Sequence, residues 1–215
     1  MSLTINEEVL CPCGMSFYAD IVSSINAQQD PELKELLLAG ELNLVECPFC
    51  RQIIYVEHFL LYIDPPNEFI AFVYPSGYSS EKETWEKKMV SDFEEAQSQL
   101  MPEEKIQYQP LIFFGLDSLL DFLHQEEEKQ DEIEIVKYLS EKFSISTIKI
   151  RPSKAREKRI PNILPVLKIN QTDSKKEQII NGLKKILEFC DELVTYKDAL
   201  KIIIEDQSLD IEEVK

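Results

Sequence analysis

The sequence predicts an α+β fold: a zinc-ribbon-like antiparallel sheet with a helical insert and covering helices, then a C-terminal β-hairpin and helix extension. Three observations predict it. Two close cysteine pairs, Cys11-Pro12-Cys13-Gly14 and Cys47-Pro48-Phe49-Cys50-Arg51, each close a tight turn between strand-forming residues. A helix with both a start and a stop signal lies between the pairs. Beyond them, short apolar runs alternate with stretches of helical period.

Glu7 to Leu10 leads into the first turn as a short strand, and Met15 to Ser23 returns from it with β-branched and aromatic residues. Asp30 offers an N-cap, Pro31 a first helical position, and Leu33, Leu36 and Leu37 one apolar face. Gly40 ends that helix at the position after its C-cap. Leu42, Leu44 and Glu46 run as a strand to the second cysteine pair, and Ile53 to Val56 leaves it as another. All four sulfurs then fall at one end of a small sheet.

Leu60 to Ile63 and Phe69 to Tyr74, joined by Asp64-Pro65-Pro66-Asn67, form a hairpin apolar on both faces, which predicts a covered sheet. Ser80 with Glu83 makes a capping box for a helix carrying Trp85, Met89, Phe93, Ala96 and Leu100, and Pro102 stops it. Leu111 to Phe114 reads as a buried strand. Two helices follow, from about Ser118 to Gln130 and from about Asp131 to Phe143. Ser144 to Ile150 alternates like a half-exposed strand that Ile163 to Ile169 can pair with. A helix from about Ser174 to Cys190 carries Ile179, Ile180, Leu183, Ile186 and Leu187. Tyr196 to Glu205 is a helix or a strand, and the final acidic residues fray.

Four thiolates in two pairs suit a tetrahedral Zn2+ ion, so Cys11, Cys13, Cys47 and Cys50 are the expected metal ligands. Each pair supplies two ligands from one turn, and the metal staples two distant parts of the chain. A closed four-sulfur shell leaves no position for water or substrate, which makes the zinc structural. Two other readings stay open: a labile or catalytic zinc from which Cys11 or Cys13 is displaced, and a redox thiol pair at those two positions. Cys190, the fifth cysteine, reads as a small buried hydrophobe. His58 reads as packing or a surface hydrogen bond, His124 as solvated, and Asp64, Asp117 and Asp121 as turn or capping residues. No residue is assigned catalysis.

The paired Cys-Pro motifs resemble the CpXC domain family of bacterial and archaeal proteins. The resemblance extends through Asn26, Asp30-Pro31-Glu32-Leu33-Lys34, Gly40-Glu41-Leu42-Asn43 and Cys47-Pro48-Phe49-Cys50. Leu61-Tyr62-Ile63-Asp64-Pro65 and Phe114-Gly115-Leu116-Asp117 are similar to later family positions. Cys11-Pro12-Cys13 departs from the pattern, which usually has one more residue between its cysteines. The family implies a fold and no activity. Residues 1–143 are thus expected to form a CpXC-like zinc-binding domain, and 144–215 a C-terminal α/β extension packed on it.

The net charge is −17, and it is uneven. Residues 1–148 hold 9 Lys and Arg against 28 Asp and Glu, whereas 149–215 hold 14 against 12. Neither a P-loop nor a GxGxxG pattern occurs, and no serine stands in a nucleophile elbow. The absence of a membrane-length apolar run and of a signal-peptide pattern predicts a cytoplasmic protein with no membrane partner. The expected function is a zinc-binding protein-interaction or regulatory module whose partner is an unknown protein. One alternative is a nucleic-acid-binding module using a basic loop: Lys149, Arg151, Lys154, Arg156, Lys158 and Arg159. The other is an enzyme with labile zinc or redox-active thiols. For all three, the partner or substrate is left open by sequence.

Overall fold

A computed structural model describes residues 2–206, which fall into two compact units divided between His124 and Gln125. The fold is mixed α/β. In the first unit, strands β1 (Leu3–Leu10), β2 (Ser16–Asn26), β5 (Leu60–Asp64), β6 (Phe69–Tyr74) and β7 (Leu111–Phe114) form one sheet in the order β1-β2-β5-β6-β7. A separate two-stranded sheet consists of β3 (Leu44–Glu46) and β4 (Ile53–Tyr55).

The large sheet is mixed, which corrects the antiparallel expectation: β2 runs parallel to β5, and β6 parallel to β7. Both parallel pairs are joined by long connections. Helix α1 (Pro31–Leu38) and the β3–β4 hairpin lie between β2 and β5, and helix α2 (Lys82–Ser98) lies between β6 and β7. A chain that leaves a strand through a helix can return beside it in the same direction, which a tight turn does not allow.

Strand β6 is buried at every residue, and its alternation feeds two cores. Phe69, Ala71 and Val73 join Ile25, Leu37, Leu42, Leu60, Tyr62, Leu119 and Leu123 on one side. Ile70, Phe72 and Tyr74 join Met89 on the other, with Trp85 and Phe93 packed against them. The sheet is therefore covered on both faces, as its apolar strands require. Helix α1 starts at Pro31 and ends before Gly40, whose φ of +71° is the left-handed turn that favours glycine. Asp30 does not cap it through its side chain. Its carboxylate instead accepts hydrogen bonds from the Ser2 backbone N–H and hydroxyl, which hold it below its ordinary pKa.

Two local expectations change. The Ser80–Glu83 capping box does not form, because Ser76–Glu81 is a 3-10 helix and α2 begins at Lys82. The two helices expected over 118–143 are one, α3 (Leu116–Lys142). No Gly or Pro interrupts it; Gln130–Glu134 bridges the expected break at one-turn spacing, and Lys129–Glu126 and Lys137–Glu134 flank it.

In the second unit, β8 (Ser146–Lys149) pairs antiparallel with β9 (Ile163–Val166). Between them lies α4 (Pro152–Glu157), so the expected basic loop is a short helix begun by Pro152. Helices α5 (Lys175–Phe189) and α6 (Val194–Glu205) follow, which settles 194–205 as helical. Ser174 and Glu177 form a capping box at the start of α5. The core collects Ile133, Val136, Ile148, Leu164, Ile179, Leu183, Ile186, Tyr196 and Ile203. Tyr196 donates its hydroxyl to the Ile163 carbonyl at 2.8 Å, so its buried polar end is satisfied. The fraying expected of the last acidic residues falls outside the described residues. Among the described residues no helix is long and apolar enough to cross a membrane.

Candidate metal centre

Each cysteine pair sits at the tip of a hairpin. Cys11 follows β1, and its backbone N–H donates to the Met15 carbonyl at 2.9 Å while Gly14 N–H returns to the Cys11 carbonyl at 2.8 Å. Gly14 has φ +89° and no atom within 4 Å of where a Cβ would stand, so backbone freedom is what the position demands. The second turn has a similar closure: Cys47 N–H donates to the Gln52 carbonyl at 2.9 Å, and Arg51 N–H to the Cys47 carbonyl at 2.8 Å. Arg51 there takes φ +61°.

The two tips bring their sulfurs together. Cys11 Sγ lies 3.6 Å from Cys50 Sγ, and Cys13 Sγ lies 3.9 Å from Cys47 Sγ. All four lie within 4.8 Å of one another. Tetrahedral zinc with bonds of about 2.3 Å requires sulfurs about 3.8 Å apart, so the donor set fits such an ion. The short spacing of the first pair does not take Cys13 out of the set. Cys11 and Cys47 are buried, and Cys13 and Cys50 are exposed. Among the described residues no other group of three or more His, Cys, Asp or Glu is gathered this way.

A family profile described as "CpXC protein" matches residues 9–137. The chain belongs to the CpXC family. Comparison with curated proteins found no match, and comparison with solved structures found none. The match begins at the end of β1 and takes in both Cys-Pro turns of this CpXC chain.

The thiols of the CpXC cluster do not titrate alike. The Cys13 N–H, 3.4 Å from Cys11 Sγ, favours the Cys11 thiolate, but burial and the three neighbouring thiols prevail and push Cys11 up to about 12. Burial opposes ionisation of Cys47, yet donors from the Cys50 and Phe49 backbone and the Cys11 and Cys50 thiols bring it down to about 7. Donation from the Gln52 backbone and from Cys11 favours the Cys50 thiolate, but burial and the Cys47 and Cys13 thiols together outweigh it and raise Cys50. Four sulfurs this close cannot all carry negative charge unopposed, and a divalent cation removes that repulsion.

One positioning residue escaped the sequence reading. Asn43 accepts from the Val22 N–H at 2.8 Å and donates to the Val22 carbonyl at 3.0 Å. Strand β2 pairs with β5 only over Ser24–Asn26, so at Val22 the Asn43 amide takes the place of a strand. Its own carbonyl receives Val56 N–H at 3.0 Å, tying off the base of β3–β4. The residue type shortly after the helix-ending Gly40 was the available signal, since asparagine tolerates the left-handed region that Asn43 takes at φ +60°.

The basic residues lie together in the second unit: Lys149 on β8, Arg151 at the N-cap of α4, Lys154 and Arg156 within it, Lys158 and Arg159 just beyond. Part of their charge is met locally. Lys154 is 2.8 Å from Glu157, and Arg156 is 3.7 Å from Glu126. His58 pairs with the Phe59 carbonyl at 2.9 Å and lies 3.6 Å from Glu7, while His124 is exposed. Asp64 is buried beside Lys34 and accepts from Asn67 at 3.0 Å. Cys190 is the C-cap of α5 and half-buried against the second core.

Proposed function

We propose that this CpXC chain is a zinc-binding protein-interaction or regulatory module, with Cys11, Cys13, Cys47 and Cys50 holding a structural Zn2+ and no catalysis of its own. The observation that carries this reading is the gathering of two thiols from each of two hairpin tips within 4.8 Å, one of each pair buried. An all-sulfur tetrahedral set favours soft metals, zinc foremost, and a filled set offers no open coordination position. The bound cation would supply folding free energy rather than Lewis-acid chemistry. A surface hollow of about 380 Å³ is lined by Glu83, Glu86, Lys87 and Val90 and includes none of the four cysteines.

The nucleic-acid reading has less support, because Glu157 and Glu126 offset two of the six basic side chains. It retains Lys149 and Arg159, both exposed, and predicts an affinity that falls steeply with salt. Elemental mass spectrometry with a thiol count before and after denaturation tests the main reading. The expected result is equimolar zinc and four clustered thiols unreactive until unfolding. Metal-free protein, or freely reactive Cys11 and Cys13, would overturn it in favour of thiol chemistry.

A further inference from the structure

The β3–β4 hairpin turns an apolar face to solvent. Register pairs Leu44 with Tyr55 and Glu46 with Ile53, so two-residue alternation puts these four on one face and Val45 and Ile54 on the other. Val45 and Ile54 are half-buried, as an inward face should be. Leu44, Ile53 and Tyr55 are 43%, 66% and 44% exposed, and Phe49 at the tip is 58% exposed. A strand pair of three residues each gains no stability from large apolar side chains in water, and contiguous apolar patches on soluble proteins mark contact sites.

The charge around this face selects its occupant. The first 80 residues hold 11 Asp and Glu and only two cations, Lys34 and Arg51. Lys34 lies 3.9 Å from Asp64, which leaves Arg51 at the hairpin tip. Glu46 stands within the face itself, and Glu41 and Glu57 border the hairpin in sequence. Such a field repels a polynucleotide and a second copy of the same face, and attracts cationic protein. We infer that the outward face of β3–β4, built on Leu44, Glu46, Ile53 and Tyr55 with Phe49 at its end, docks a protein segment carrying aliphatic or aromatic anchors and an excess of Lys and Arg. This rests on the interaction-module reading and names its surface.

Site-specific photo-cross-linking in the native cells tests it on the full chain, with benzoylphenylalanine placed at Ile53, and at the exposed Tyr138 and Val194 as controls. Zinc content and thermal stability of each variant establish that it is folded. The expected product joins Ile53 to an identified peptide rich in Lys and Arg with apolar neighbours. Glu46→Lys or Leu44→Ser should cut that yield about fivefold or more at unchanged zinc content. A cross-linked segment that is neutral or acidic, a product between two copies, or a yield indifferent to Glu46→Lys would overturn the inference. Products from the control positions alone would reject this surface and leave the module reading standing. No protein product from any position would reject both.

Discussion

The hairpin that carries the second cysteine pair and the C-terminal unit are stabilised by different means. Strands β3 and β4 have three residues each, and their outward apolar residues meet water. What holds them is polar and local: a turn at Cys47–Arg51, the gathered sulfurs, and the Asn43 amide on the Val22 backbone. The C-terminal unit adds polar ties such as the Ser174–Glu177 capping box and the Tyr196 hydroxyl on the Ile163 carbonyl, but rests on apolar packing. Its fifteen-residue buried cluster runs from Ile133 to Ile203. Where the chain buries little, local hydrogen bonds and side-chain amides take over the task of apolar area, and a metal in the proposed site would add to them.

Breaking the metal end should have the largest effect. Cys47→Ser removes a fully buried thiol of the proposed zinc site, and structural zinc in zinc-finger peptides carries an apparent ~10–16 kcal/mol of folding free energy at neutral pH. The expected outcome is loss of bound zinc and of most soluble protein, with fast amide exchange over residues 44–55 in what remains. Zinc retained at normal thermal stability would contradict this. The opposite probe acts on packing. A Cβ on Gly182 would stand 2.3 Å from the Pro165 carbonyl oxygen, so Gly182→Ala forces α5 off β9. Overpacking of this kind costs about 1–3 kcal/mol or more. Amide protection should fall across α5 and β9 while zinc content stays unchanged.

A smaller effect is expected at the amide that stands in for a strand. Asn43→Ala removes both hydrogen bonds to Val22 and puts a less tolerant residue at φ +60°, at a cost of about 1–3 kcal/mol. It should weaken zinc retention in a chelator competition before it lowers expression. An unaltered chelator curve would show that the amide does not position the site. The smallest change compares the two knuckles directly. The first turn has Gly14 in the left-handed region where the second has Arg51 at φ +61°. Arg51→Gly should be neutral to stabilising, by up to about 1 kcal/mol in thermal unfolding. A clear loss of stability would mean that the Arg51 side chain itself holds the tip.

Much of this was legible from residue types whose chemistry is local. Cysteine spacing brought out the four sulfurs that the fold gathers, Pro31 and Gly40 bracketed α1, and the doubly apolar β6 declared a covered sheet. What local chemistry does not encode is which strand lies beside which. The parallel pairings follow from connections more than thirty residues long, and nothing in β2 or β7 states its neighbour. The acidic middle of α3 lacks an apolar period, so the sequence pattern divides a helix that is continuous, although Gln130 and Glu134 stand at the one-turn spacing that joins its halves. Ser80 carried a real capping signal, and the 3-10 turn preceding α2 displaced it. The role of Asn43 is not legible in its motif, because an amide that reads a backbone 21 residues away leaves no periodic trace.

The stacking of Trp85 on Tyr78, at 4.4 Å with parallel rings, has an optical consequence. Trp85 is the chain's single tryptophan, and from α2 it packs against Tyr74 of β6 in the first unit. Indole emission is thus a built-in lamp for the packing of that helix on its sheet. The C-terminal unit has no tryptophan and glows only through its tyrosines. A loosening such as that expected of Gly182→Ala should pass in the dark when the indole alone is excited, whereas any disturbance of α2 should change its colour.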